Sequence, residues 1–298
     1  MSIRIGISGW RYPRWRGRFY PGDLVQREEL AYASRCFPSI ELNGSFYSLQ
    51  RPESWKAWRE ATPPRFVFAV KGPRFITHTK RLRDCDTALA NFFASGLLQL
   101  GPKLGPILWQ LPPTLRFDAE QLDTFLSALP RDEVAAAALA RRRDRSLMSG
   151  RSTMTATGQR RIRHALEVRH DSFLDAGFIA LLRRHGVGLV VADAARRYPL
   201  MEDVTADFVY IRLHGDAELY ASGYSDAALD RWAQRISCWA AGGEADDAAR
   251  SGPPAKPRKR RDVYCYFDND AKVHAPFDAA SLMRRLGQTP GCEMGQAP

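Results

Sequence analysis

Hydrophobic positions along the chain follow two periods in turn. Short apolar runs of strand length stand at 3–8, 39–42, 66–70, 106–111, 163–168, 187–192, 208–213 and 263–267. Between them, apolar residues recur every three to four positions over 24–36, 52–61, 86–100, 119–129, 172–185, 226–240 and 278–286, as on one face of a helix. Pro52 followed by Glu53 reads as a helix start, and Gly186 as a helix stop. Between the sixth and seventh strands, 193–207, the pattern supports no helix. Strand and helix alternation implies a parallel sheet. Eight such units in 298 residues predict one α/β domain, a (β/α)8 TIM-barrel-like closed sheet spanning 1–298. Neither G-x-G-x-x-G nor G-x-x-x-x-G-K-[ST] occurs, so the usual dinucleotide and P-loop sites are not signalled.

Charge changes this picture in two places. The formal charge is +11, which raises a nucleic-acid partner. Residues 131–163 hold nine arginines against three acids, and 241–261 hold six basic residues against three acids. These stretches carry +9 of the +11, so the rest of the chain is near neutral. Their Ala/Arg/Ser and Gly/Pro/Lys composition predicts two basic loop insertions, about 131–162 and 241–261, solvated and able to touch nucleic acid nonspecifically. The five cysteines form no C-x-x-C, no disulfide framework is read, and a reducing cytoplasm is expected. No secretory signal is read at the N-terminus. The longest apolar runs, such as 186–192, are far short of a membrane span, so no membrane partner is expected. Oligomeric state is not legible.

In a barrel of this kind, chemistry gathers where the strands end. Those ends carry Ser8 and Trp10, then Glu41, Asn43 and Tyr47, then Lys71 with His78 in its loop, then Gln110. Glu167, Arg169 and His170 follow the fifth strand, Asp193 the sixth, Arg212 and His214 the seventh, and Tyr266, Asp268 and Asn269 the eighth. Side chains alternate across a strand. Leu166 and Val168 belong against outer helices, so Glu167 and Arg169 point inward; Glu41 pairs with Asn43, Arg212 with His214 and Tyr266 with Asp268 in the same way. Glu167, Arg169 and Arg212 can form an internal salt-bridge layer, or serve as a base or metal ligand beside an anion clamp. Glu41, Glu167, Asp193, His214 and Asp268 are an oxygen-rich set suited to a divalent ion such as Mg²⁺ or Mn²⁺, although no compact ligand spacing supports one. His78 and His170 are acid–base candidates or loop caps. His164 and His185 read as surface histidines. The rings of GWRYPRWRGRFY read mostly as packing, with Trp10 the exception.

The stretches IGISGWRYPRWRGRFYP, IELNGSFYSL, FVFAVKGPRFITHTKRL, LGPILWQLPP, LEVRHDSF, VVAD, FVYIRLHG and VYCYFDND together resemble the YecE-like family, domain of unknown function 72. The resemblance implies a TIM-barrel-like fold, no established activity, and a loose kinship with sugar-isomerase-like barrels. Two positions depart from the family pattern. A usual Asn-Asn after the last strand is Asp268-Asn269, and a usual Asn-Ala opening the last helix is Asp278-Ala279. The 131–163 insertion lies outside the pattern.

Three functions follow as expectations. One is an enzyme on a small, hydroxylated, anionic ligand, a sugar isomerase or hydrolase, with Glu41 and Glu167 as acid and base, His214 and His170 as further catalytic candidates, and Lys71, Arg169 and Arg212 as anion holders. The second is a nucleic-acid-binding or -processing protein using the Arg-rich insertion and the Trp/Arg loop. The third is a ligand sensor without catalysis.

Overall fold

A computed structural model describes residues 2–156 and 158–292. Eight parallel strands close into a barrel in chain order. They are β1 (Ile3–Ser8), β2 (Ser39–Leu42), β3 (Val67–Lys71), β4 (Leu104–Gln110), β5 (His164–Glu167), β6 (Gly188–Asp193), β7 (Phe208–Leu213) and β8 (Asp262–Phe267). The helices are α1 (Glu29–Cys36), α2 (Gly44–Tyr47), α3 (Pro52–Glu60), α4 (Asp86–Ala94), α5 (Ala119–Ala128), α6 (Glu133–Ala140), α7 (Ala176–His185), α8 (Asp226–Ala240) and α9 (His274–Arg285). The TIM-barrel-like expectation holds, and the stretch between β6 and β7 carries no helix.

Local chemistry sets the helix ends. Asp118, Asp132, Asp175 and Ser225 cap α5, α6, α7 and α8 by accepting a backbone N–H with their side chains. The left-handed turn at Gly186 (φ 60°) stops α7.

Two apolar layers follow from strand alternation. Outward residues such as Ile5, Ile40, Leu166, Val191 and Ile211 pack under the helices. Inward residues Val67, Ala69, Leu108, Ala165, Val190, Phe208, Tyr210, Tyr264 and Tyr266 fill the barrel. At its floor Arg163 bridges Asp262 at 2.8 Å and Asp207 at 3.2 Å. The interior is therefore a packed plug between this floor and a polar cluster at the opposite, C-terminal mouth.

Three expectations are corrected. The 131–162 insertion is not solvated loop throughout: α6 lies within it, Asp132 and Arg161 pair as an antiparallel bridge, and buried Glu133 meets Arg160 at 2.9 Å. The 241–261 segment has no helix or strand of its own, yet it is laced to the barrel. Asp203 accepts from the Ser251 and Gly252 amides, Glu244 from those of Val204 and Ala255, and Arg261 is buried. Third, Cys36 and Cys292 form a disulfide, where no disulfide framework was expected. Among the described residues no helix is long and apolar enough to cross a membrane.

Candidate functional site

The mouth is built around one guanidinium. Arg212 ends β7 on the inward parity and is fully buried. Its Nε donates to Glu41 Oε2 at 3.0 Å and its Nη1 to Glu167 Oε2 at 2.7 Å. Its Nη2 donates to Glu41 Oε1 and Asp268 Oδ2, both at 2.8 Å, and reaches Ser8 Oγ at 3.4 Å. One side chain thus ties β7 to β1, β2, β5 and the end of β8. The planar fork fits carboxylates in two directions at once, which a lysine cannot do.

Each carboxylate is filled further. Ser8 donates to Glu41 Oε1 at 2.5 Å and the Tyr210 hydroxyl to Oε2 at 2.7 Å, so four side chain contacts from three residues beyond its own strand saturate Glu41. Asn43 donates to Ser8 Oγ at 2.9 Å. Arg169 Nε donates to Glu167 Oε1 at 2.7 Å, while its guanidinium lies 4.6 Å from the Tyr198 ring centre and meets the Tyr220 hydroxyl at 3.3 Å. Burial alone would push Glu167 and Asp268 up; Arg169 and Arg212 beside Glu167, and Arg212 and His214 beside Asp268, instead hold both well below the usual carboxylate range.

Two groups at the mouth lack this saturation. Lys71 ends β3, is buried, and makes no hydrogen bond or ion pair among the described residues; its Nζ stands 4.3 Å from the centre of the Phe46 ring. Burial, then the Arg212 charge, lowers its ammonium to about 8, partly offset by Glu41, Asp268 and Glu167. His214 is fully buried, and neither ring nitrogen is aligned for a hydrogen bond. Its Nδ1 lies 3.1 Å from Asp268 Oδ2 and its Nε2 3.9 Å from Glu167 Oε1. The Tyr220 ring packs edge-on against it at 5.2 Å.

The structure brings Ser8, Glu41, Asn43, Lys71, Glu167, Arg169, Arg212, His214 and Asp268 together. Gln110 closes β4, buried and in register with Glu167. Trp10 is buried against Trp58 and, with Asn43 and exposed Tyr47, lines a hollow of about 280 Å³ beside the mouth. His78 sits edge-on to Phe46, bonded through Nδ1 to Thr77 Oγ1; burial and the Arg74 and Lys71 charges push it down to about 4.

Other candidates stand elsewhere. Asp193 shares the outward parity of Val191 and accepts from the Tyr224 hydroxyl at 3.2 Å, outside the barrel. Asn269 donates to Ser222 O and Asp278 Oδ2, fixing the loop after β8. His170 Nδ1 accepts the Ser172 amide and caps a short turn. Tyr266 lies within the barrel with its hydroxyl on Ser39 at 2.7 Å. His164 is buried rather than on the surface: its Nδ1 accepts from Trp109 at 3.1 Å, its Nε2 faces Pro130 O at 2.8 Å, and burial lowers it to about 4. His185 is mostly buried and meets Asp123 at 2.6 Å. The rings Trp15, Phe19 and Tyr20 are buried packing, as expected.

The candidate metal set does not assemble. Asp193 points away, Arg212 occupies the space between the three carboxylates, and among the described residues no group of three His, Cys, Asp or Glu can hold an ion. Supporting residues that the strand-end reading passed over are Tyr210, Tyr12, Tyr198 and Tyr220. Tyr210 carried a signal, since it stands two positions before Arg212 on the same parity. Tyr12 donates to Ser8 O at 2.5 Å, and nothing in its loop marked that contact.

Two further hollows lie on the surface. An apolar groove of about 270 Å³ shares Phe46 and Tyr47 with the mouth and is walled by Phe75, Ile76 and, from the insertion, Leu147. An open hollow of about 670 Å³ is lined by Arg141, Arg143 and Arg145.

The family model described as "Protein of unknown function DUF72" matches residues 4–297. The UPF0759 protein YecE of Escherichia coli K12 is 34% identical over 131 residues, 43% of this chain and 44% of that protein. The UPF0759 protein YunF of Bacillus subtilis 168 is 30% identical over 116 residues, 37% of this chain and 40% of that protein. The chain thus spans less than half the length of the curated relatives it matches. A crystal structure of a DUF72 family protein from Thermotoga maritima superposes with a TM-score of 0.71 at 23% identity, covering 97% of this chain and 100% of that one. One from Enterococcus faecalis V583 gives 0.65 at 16% identity, covering 96% of each. At these identities the structures speak for the fold.

Proposed function

We propose, for a chain that belongs to the DUF72 family of proteins of unknown function, that the barrel mouth binds a small hydroxylated, anionic ligand of the sugar-phosphate kind. One observation carries the reading. The carboxylates and arginines of the mouth satisfy one another, whereas Lys71 Nζ meets no protein acceptor and His214, facing Asp268 at 3.1 Å, has no aligned hydrogen bond. An imidazole buried without an aligned hydrogen bond is costly, as is a largely desolvated amine with no protein acceptor, and a ligand that supplies acceptors and hydroxyls offsets the cost. Lys71 meets the oxyanion or carbonyl oxygen, and His214 meets a hydroxyl. The Glu41–Arg212–Glu167 layer positions these two groups. Acid–base chemistry on the ligand, of the isomerase or hydrolase kind, then falls to Lys71 and His214, because Glu41 is saturated and Glu167 is held ionised by its arginines.

The test is thermal unfolding with glycerol 3-phosphate, sugar phosphates and sugar acids at millimolar concentration. Binding to the folded state raises Tm, by about 2.7 kcal/mol of stability at a hundred times Kd. The rise is expected in the native chain and absent in Lys71→Met. A panel that shifts neither protein, or shifts both alike, removes the mouth as the site.

A second reading is favoured by the arginine-lined hollow. Arg141 and Arg145 carry no carboxylate partner among the described residues, and Arg143 is held by Ser152 at 3.0 Å. This surface supports sequence-independent contact with a polyanion such as nucleic acid.

A further inference from the structure

The chain has seven lysines, and their surroundings differ sharply. Lys56, Lys256, Lys259 and Lys272 are exposed and Lys80 is half-buried. Lys103 is buried but satisfied, donating to Arg59 O and Thr62 O at 2.6 Å and to Thr62 Oγ1 at 3.0 Å. Lys71 alone among the described lysines is buried with no acceptor. The reason is local. The mouth holds three carboxylates, but Arg212 and Arg169 take their oxygens first, with bidentate geometry that an ammonium cannot match. What remains to the lysine is the face of Phe46 at 4.3 Å.

We infer that Lys71 Nζ is a nucleophile that forms an imine with a ligand aldehyde or ketone, which narrows the ligand class to hydroxylated, phosphorylated carbonyl compounds. This rests on the reading of the mouth as a ligand site. An amine desolvated beside another cation is the arrangement that favours the neutral, nucleophilic form. Arg212 is that cation, and Glu41, Asp268 and Glu167 are the charges that oppose it. The ammonium near 8 leaves a working fraction of free amine at neutral pH.

The step balances without an oxidant or reductant. The nitrogen lone pair attacks the carbonyl carbon, a C–N bond forms, and the oxygen takes the proton that nitrogen gives up. A proton supplied from solvent then joins that hydroxyl, which leaves as water while the nitrogen lone pair forms the C=N bond. An iminium remains on Nζ. His214, whose Nδ1 faces Asp268 at 3.1 Å and whose Nε2 makes no hydrogen bond, is in the same mouth to handle these protons.

The experiment is trapping. The full chain is incubated with dihydroxyacetone phosphate, reduced with sodium borohydride, digested and mapped by mass spectrometry. Borohydride locks the iminium as a secondary amine. The expected result is an adduct on the peptide bearing Lys71, dependent on borohydride, rising several-fold from pH 6.5 to 8.5, and displaced by glycerol 3-phosphate, which has no carbonyl. Lys71→Arg keeps the charge and loses the adduct; its Tm reports whether it folds, and the peptide assignment in the native chain stands without it. Stabilisation by glycerol 3-phosphate with no Lys71 adduct overturns the imine and leaves the ligand reading. No stabilisation and no adduct overturns both. Equal labelling of Lys56 or Lys272 also overturns it, since exposed amines then react as well.

Discussion

Replacing Arg212 by Met removes the charge at the centre of the mouth and keeps its apolar volume. In the native chain this guanidinium gives Glu41 two hydrogen bonds and Asp268 and Glu167 one each. Without it Glu167 keeps Arg169 and Glu41 keeps Ser8 and Tyr210. Asp268 keeps only the imidazole of His214, 3.1 Å away. Stripping a partner from a buried ion pair costs about 3–5 kcal/mol. Asp268 is 15% exposed, so water recovers part of its share, and the expected loss at pH 7 is about 3–4 kcal/mol. That is a large part of the 5–15 kcal/mol typical of a domain, roughly enough to halve the urea midpoint. The pH dependence is a second check. Glu167 and Asp268 sit below their unfolded values in the native chain, so the stability they supply is complete above the ordinary carboxylate range and lost as pH falls below it. In the variant both lose the Arg212 charge that lowers them, so less stability is lost as pH falls. The gap between the two proteins should therefore narrow from pH 7 to pH 5. Urea unfolding followed by tryptophan fluorescence measures both. A loss below about 1 kcal/mol, or a gap that does not narrow, refutes the view of Arg212 as the hub.

Two more outcomes follow from groups outside the hub. Asp278 accepts from the Tyr224 amide and from Asn269, and burial pushes it up to about 6. A raised folded value means that the folded chain binds the extra proton, so this group lowers stability as pH rises through 6; Asp278→Asn should flatten the Tm profile between pH 5 and 7, and an unchanged slope there counts against it. For the basic insertion, Arg141→Ala with Arg145→Ala should reduce the salt slope of duplex DNA or heparin binding by about 2, one per lost phosphate contact. A slope equal to the native one removes that surface as the polyanion site.

How far the molecule was legible depends on the range of the interaction. β1, β2, β7 and α8 lie where periodicity put them, because alternation and a serine cap are local signals. Parity also placed Glu41, Glu167, Arg212 and Asp268 inward. On β6 the same rule gives Leu189, Val191 and Asp193 one outward face, so Asp193 leaves the mouth although it stands at a strand end. α6 was hidden in plain view: AAAALA is strongly helical, but the surrounding arginines read as solvated chain. His164 looked exposed because nothing nearby in sequence announces Trp109 and Pro130, which satisfy it from afar. The bond between Cys36 and Cys292 spans 256 positions, and no spacing rule reaches that distance.

That bridge changes how the chain bears tension. Gly291 and Gln288 lie against Cys36 and Ile3, so the far end of the fold returns to its beginning. A pull applied ahead of Cys36 and beyond Cys292 travels through two sulfurs, and the stretch of chain between them carries none of it. Only the stretch up to Cys36, with β1 at its heart, is peeled away. Residues 1–35, at about 3.5 Å each, extend on the order of 120 Å when peeled. Reduction lets the same force reach every strand. The oxidised molecule is, mechanically, a ring closed between Cys36 and Cys292.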